Sequence, residues 1–133
     1  MALMPKIEYE QASLPVKAVY DDIRATRGND YINDVWKVFA NDPDLLKRSW
    51  EQTKTVMKAG TIDSLTKEFI YLAVSITNNC EYCINTHTAA ARSKGMTDAQ
   101  FGELLSVVGL ANQMNRLANG TQVAVDAKYR GQR

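Results

Sequence analysis

The chain has 133 residues, a length that suits a single domain built on one core. Hydrophobic residues make up 45% and charged residues 23%, an ordinary globular composition. Lys and Arg (16) nearly balance Asp and Glu (15), and no basic run exceeds two, so neither charge nor its patterning points to a nucleic-acid partner.

The start, MALMPKIEYEQ, has no apolar run of the kind a signal peptide carries and soon turns acidic. The longest apolar stretch, FIYLAVSI, is far short of a membrane span. Both features lead us to expect a cytoplasmic protein without a membrane partner. Residues 1–12 show no sustained period and are expected to be an extended arm. Ser13 is a candidate N-cap with Pro15 in the first turn, and Val16, Val19, Tyr20 and Ile23 then repeat at helical spacing until TRGND breaks the pattern. Ile32, Val35, Trp36 and Phe39 form a second, short stripe.

Asp42-Pro43 opens a third helix, a capping residue followed by proline at the first helical position. Its stripe is Leu46, Trp50, Thr53 and Met57, with Gly60 as the stop. Asp63 or Ser64 caps a fourth helix, whose apolar face is Leu65, Phe69, Leu72, Ala73 and Ile76. Asn78-Asn79 reads as a turn, and a fifth helix follows as far as Gly95. In the sixth, Thr97 and Gln100 make a capping box, and Met96 staples against Phe101. That helix is expected to run to about Ala118, where Asn119-Gly120 ends it, and TQVAVDAKYR to form a last short helix. No alternating strand pattern appears. The expected fold is all-α, one domain over 1–133.

The sixth helix is apolar or small nearly all round. Leu104, Leu105 and Val108 lie on one side, Leu110, Met114 and Leu117 on another, and Gly102, Ser106 and Gly109 between them. Such a helix is either central to a core or part of a subunit interface.

Both cysteines and the single histidine fall within NNCEYCINTH. Residues three and four apart share a helix face, so Cys80, Cys83 and His87 line up along one side. Cys80 lies near the helix N-terminus, where unpaired amides favour a thiolate. His87 lies one turn beyond Cys83 and can accept its proton or stabilise its anion. One thiol to attack, one to resolve and a base to move protons is the chemistry that this spacing suits. If helices four and five form an antiparallel hairpin about Asn78-Asn79, Glu68 and His87 lie roughly 15 and 12 Å from the turn, at about 1.5 Å per residue. Glu68 can then orient the imidazole, as the third member of a triad does. The competing reading is zinc held by Cys80, Cys83, His87 and Glu68. Three ligands spread over two turns of one helix strain a tetrahedral site, so no metal is expected. Ile84 stands where a haem-attachment motif needs histidine, and no cofactor is expected.

The segment KEFIYLAVSITNNCEYCINTH resembles the alkylhydroperoxidase D-like (AhpD-like) proteins of the carboxymuconolactone decarboxylase superfamily. It carries their pattern of a glutamate, eleven intervening residues, then C-x-x-C-x-x-x-H. The resemblance implies an all-helical fold with the superfamily's core at about 30–115, assembled as trimers or hexamers, and a peroxidase or thiol–disulfide oxidoreductase. It further implies Cys83 as the thiol oxidised by a hydroperoxide, Cys80 as its partner, Glu68 and His87 as a proton relay, and an external dithiol or protein as reductant. The pattern departs at Tyr82. The best-studied type of member has a second relay histidine between its cysteines, whereas a phenol is a poor base at neutral pH and would either donate an auxiliary hydrogen bond or simply pack. The alternatives are a disulfide reductase or adaptor with little peroxidase activity, a helical scaffold without catalysis, and a lactone decarboxylase-like enzyme that needs neither thiol.

Overall fold

The computed structural model describes residues 2–131, and among these the regular structure is entirely helical. The elements are a 3₁₀ turn at Tyr9–Gln11, then α1 (Leu14–Arg27), α2 (Asp34–Phe39), α3 (Pro43–Met57), α4 (Ser64–Thr77), α5 (Glu81–Ser93) and α6 (Asp98–Thr121), and a 3₁₀ turn at Ala127–Tyr129. They form two compact units, one ending at Lys58 and one beginning at Ala59.

In the first unit the stripe of α1 is its buried face: Val16, Val19, Tyr20 and Ile23 are all in the core, with Ile32, Trp36, Leu46 and Trp50. Trp36 meets Phe39 and Trp50 edge-on, an arrangement that suits the ring quadrupoles. The indole N–H of Trp50 donates to Asp22 Oδ2 at 2.6 Å, and Lys54 pairs with the same oxygen. The arm before α1 is anchored as well as partly wound. Ile7 N–H donates to the Lys37 carbonyl, the buried phenol of Tyr20 donates to the Ile7 carbonyl at 2.7 Å, and Asn41 donates to the Pro5 carbonyl. Residue 1 of that arm lies outside the described residues. Ser13 takes the N-cap place of α1 without a side-chain bond, so Pro15 alone carries the start signal. Gly28 ends α1 at φ 70°, a left-handed conformation that glycine adopts without steric cost.

In the second unit α4 and α5 pair as an antiparallel hairpin, and α6 packs against α4. Asp63 caps α4, accepting from Thr66 N–H at 2.9 Å. Leu72, Ala91 and Met96 are buried at the centre, with Leu65, Phe69, Phe101 and Leu104 against them. Ala91 is fully buried on the hairpin face of α5, and its small side chain lets the two helices approach closely. Both halves of the capping box at α6 are formed.

One expectation about α6 is corrected. The helix passes through Asn119-Gly120 to Thr121, because a glycine costs an exposed helix only about 1 kcal/mol and Thr121 Oγ1 bonds back to the Leu117 and Ala118 carbonyls. Of the two readings left open for this helix, the central core helix does not hold within one chain: Val108 is its one buried residue, while Val107, Leu110, Met114 and Leu117 stay more than half exposed. Beyond it, only Ala127–Tyr129 of the expected last helix is wound, as 3₁₀.

Candidate active site

The site is built on the turn between α4 and α5. Asn78 continues the end of α4, and Asn79 turns the chain at φ 56°, in the left-handed region that asparagine tolerates better than most residues. Cys80 follows as the N-cap of α5. Its amide donates to the Ser75 carbonyl at 3.0 Å, and its sulfur accepts from Cys83 N–H at 3.3 Å. A sulfur so placed receives a donor that the helix leaves unpaired, the same donor that would hold a thiolate there. Cys80 and Cys83 are joined as a disulfide. Tyr82, between them, has a side chain on the exposed side of the first turn of α5.

One turn beyond Cys83, His87 meets Glu68 of α4. Nδ1 and Oε2 are 2.6 Å apart, the pairing that counting residues from the turn predicts. Glu68 is a buried carboxylate in a helix that otherwise buries Leu72 and Ser75, so it must be compensated where it stands. Two side chains do this. His87 takes Oε2, and Lys94 Nζ lies 2.6 Å from Oε1. Burial pushes the Glu68 carboxyl up, but the hydrogen bonds from His87 and Lys94 and the Lys94 charge outweigh it, leaving the group below its usual range. With Glu68 ionised, the neutral imidazole carries its proton on Nδ1, and Nε2 is left as the basic nitrogen.

The other face of the imidazole is also occupied. Tyr71, one turn after Glu68 in α4, stacks on His87 with ring centroids 3.6 Å apart and planes 20° from parallel. Unlike Trp36, Phe39 and Trp50, which pack in the core of the first unit, Tyr71 is 40% exposed and lies against the candidate relay.

All four sequence-derived site residues thus gather on one hairpin, as two pairs: Cys80 with Cys83, and Glu68 with His87. Tyr71 and Lys94 were missed. Lys94 is seven residues after His87 on the same face, about 10 Å farther from the turn by count, and only its long side chain brings the ammonium back to Glu68. Tyr71 is three after Glu68, and that spacing was its signal. Among the described residues, no three His, Cys, Asp or Glu side chains gather as a metal site.

Comparison with known proteins agrees with the sequence motif. The model of the carboxymuconolactone decarboxylase family matches residues 43–126. A curated relative, uncharacterized protein 4 in the cox locus of Paracoccus denitrificans, is 36% identical over 55 residues, which are 41% of this chain and 50% of that protein. The match thus spans about half the length of that relative. The crystal structure of an alkylhydroperoxidase AhpD core from Rhodospirillum rubrum is 55% identical, covers 97% of both chains and superposes with a TM-score of 0.93. The chain belongs to the carboxymuconolactone decarboxylase family, as an AhpD-like member.

Proposed function

We propose that the protein is a thiol-dependent peroxidase that reduces alkyl hydroperoxides. The observation that carries this reading is a disulfide-forming pair, Cys80–Cys83, one helical turn from His87 and its buried partner Glu68. In the cycle, the Cys83 thiol gives its proton to Nε2 of His87, and Glu68 holds the resulting imidazolium through Nδ1. The thiolate attacks the terminal peroxide oxygen. The O–O bond breaks, Cys83 becomes a sulfenic acid, and the departing alkoxide takes the proton back from His87 as alcohol leaves. The Cys80 thiol then displaces the hydroxyl of the sulfenic acid, releasing water and forming the disulfide. An external dithiol, free or on a protein, returns both cysteines to thiols and is itself oxidised. No metal or cofactor takes part, and the need for a dithiol donor suits a cytoplasmic setting.

We further propose that the apolar side of α6 is covered by further copies of the chain, in a trimer or hexamer. Val107, Leu110, Met114 and Leu117 form a stripe that one chain leaves in water.

Cys83→Ser should abolish turnover of an organic hydroperoxide such as cumene hydroperoxide. Cys80→Ser should stop after one turnover, with a sulfenic acid at Cys83 that a 1,3-dione reagent captures. Parental turnover by Cys83→Ser would end the proposal. Tyr82 favours a second reading, a disulfide oxidoreductase that passes electrons to another protein, because no imidazole stands between the cysteines. Under that reading a protein disulfide is reduced faster than the hydroperoxide is.

A further inference from the structure

We propose that Lys94 is a third member of the Glu68–His87 relay, a positioning residue whose ammonium clamps one carboxylate oxygen so that the other remains an ionised acceptor for His87.

The geometry carries the proposal. Glu68 comes from the middle of α4, and its side chain is 5% exposed. Its two oxygens are divided between two residues of one neighbouring segment: His87 within α5 and Lys94 at its C-cap, each at 2.6 Å. Lys94 reaches in from the surface, its side chain one-third exposed, and its backbone is fixed by bonds from its N–H to the last turn of α5. A carboxylate with a single imidazole partner in a buried site has an alternative that removes its charge: it can keep a proton of its own. A protonated Glu68 would donate to Nδ1 instead of accepting from it. The ring would then carry its proton on Nε2, and the basic nitrogen facing away from Glu68 would be lost. An ammonium on Oε1 disfavours that state by direct charge attraction.

α4 brings Glu68, its sequence neighbour Lys67 and the Tyr71 phenol that stacks on the ring. α5 brings His87 itself, the two cysteines, which do not titrate as a disulfide, and Arg92, which pairs with Asp98 at the start of α6. Glu103 of α6 is exposed. Lys94 is the cation whose ammonium lies against Glu68, 2.6 Å from Oε1.

The inference rests on the relay role given to Glu68 and His87 above, but its test does not need turnover. The chain has one histidine, so the imidazole resonances are those of His87 alone. The protein is titrated by NMR in its disulfide form, following the ring carbons and nitrogens and the Glu68 side-chain carboxyl carbon. Lys94→Met and Lys94→Gln should both move the uptake of the next proton by the Glu68–His87 pair to higher pH, and Lys94→Arg should keep it at the parental position. Gln retains a hydrogen-bond donor without charge, so it separates the charge from the contact and decides the question if the Met protein does not fold. Parental titration in Lys94→Gln overturns the proposal, as does an Arg protein that titrates like the Met protein. If the parent proves inactive toward peroxides while these shifts appear, the clamp stands and the peroxide substrate falls. If the parent is active and the shifts are absent, the clamp falls alone.

Discussion

Tyr71 holds the imidazole of His87 by its face while Glu68 holds it by its edge. A ring gripped from two directions cannot swing without losing both contacts, so the position of Nε2 is set by α4 as much as by α5. Aromatic pairs of this kind are worth about 0.5–1.5 kcal/mol beyond their buried area. Tyr71→Ala should therefore lower stability by about 1 kcal/mol in a urea titration, and lower kcat more than it raises KM for the hydroperoxide. Tyr71→Phe keeps the ring and should stay close to the parent in both. An equal effect of Ala and Phe would show that the hydroxyl matters and the stacking does not. Glu68 has its own signature. Its carboxyl lies below its ordinary value of 4.5 in the folded chain, so the native state binds that proton more weakly than the unfolded chain does. Its stabilising contribution is present above pH 4.5 and is lost as the pH falls through the depressed folded value. Urea midpoints measured down this range should fall less steeply in Glu68→Gln than in the parent.

At the scale of single helices, beginnings were more legible than ends. A cap is a local pattern of side chain and backbone amide, and Asp42, Asp63 and Thr97 each accept the bonds that their residue types promise. Ser13 shows the limit, since its place was legible but its side chain makes no capping bond. The end of α6 was misplaced because Asn119-Gly120 is a strong turn signal only when nothing beyond it supports the helix. Thr121 bonding back to Leu117 and Ala118 supplies that support from residues whose type predicts no helix. The candidate relay was legible because an antiparallel hairpin with a short turn converts residue counts into levels, and Glu68 met His87 as counted. Tyr71 obeyed the same geometry but lay outside the motif that directed attention to it, and Lys94 lies beyond the counted level, its contact made by the reach of a long side chain. The capping box gives this scale its prediction. Thr97→Ala should cost about 1 kcal/mol, read as a lower urea midpoint with an unchanged slope. A loss near zero would mean that Met96, buried beside Phe101, fixes the start of α6 by packing alone.

The two units spend their apolar residues differently, and this separates their responses. In the first, Tyr20 is wholly buried and bonded to the Ile7 carbonyl, and burial pushes its phenol up to about 12. A raised folded value stabilises the native state below the ordinary value of 10, and that contribution is lost as the pH climbs through about 12, so Tyr20 gives this unit an alkaline dependence. In the second, α6 spans 24 residues yet buries only Val108, leaving Leu110 60% and Met114 53% exposed. These two are one helical turn apart with Leu117 following on the same stripe, so a flat partner surface can meet all three at once. A stripe of this size on a folded chain is expected to be covered in solution, and a second copy presents the same stripe in return. Leu110→Glu with Met114→Glu places like charges on both sides of such a contact, where repulsion and the desolvation of carboxylates oppose assembly together. Sedimentation should then show a smaller species than the parent, with unchanged far-ultraviolet helicity because both positions face water within one chain. A parent that sediments as a single chain, or a double variant of parental size, would mean that this face of α6 is not where copies meet.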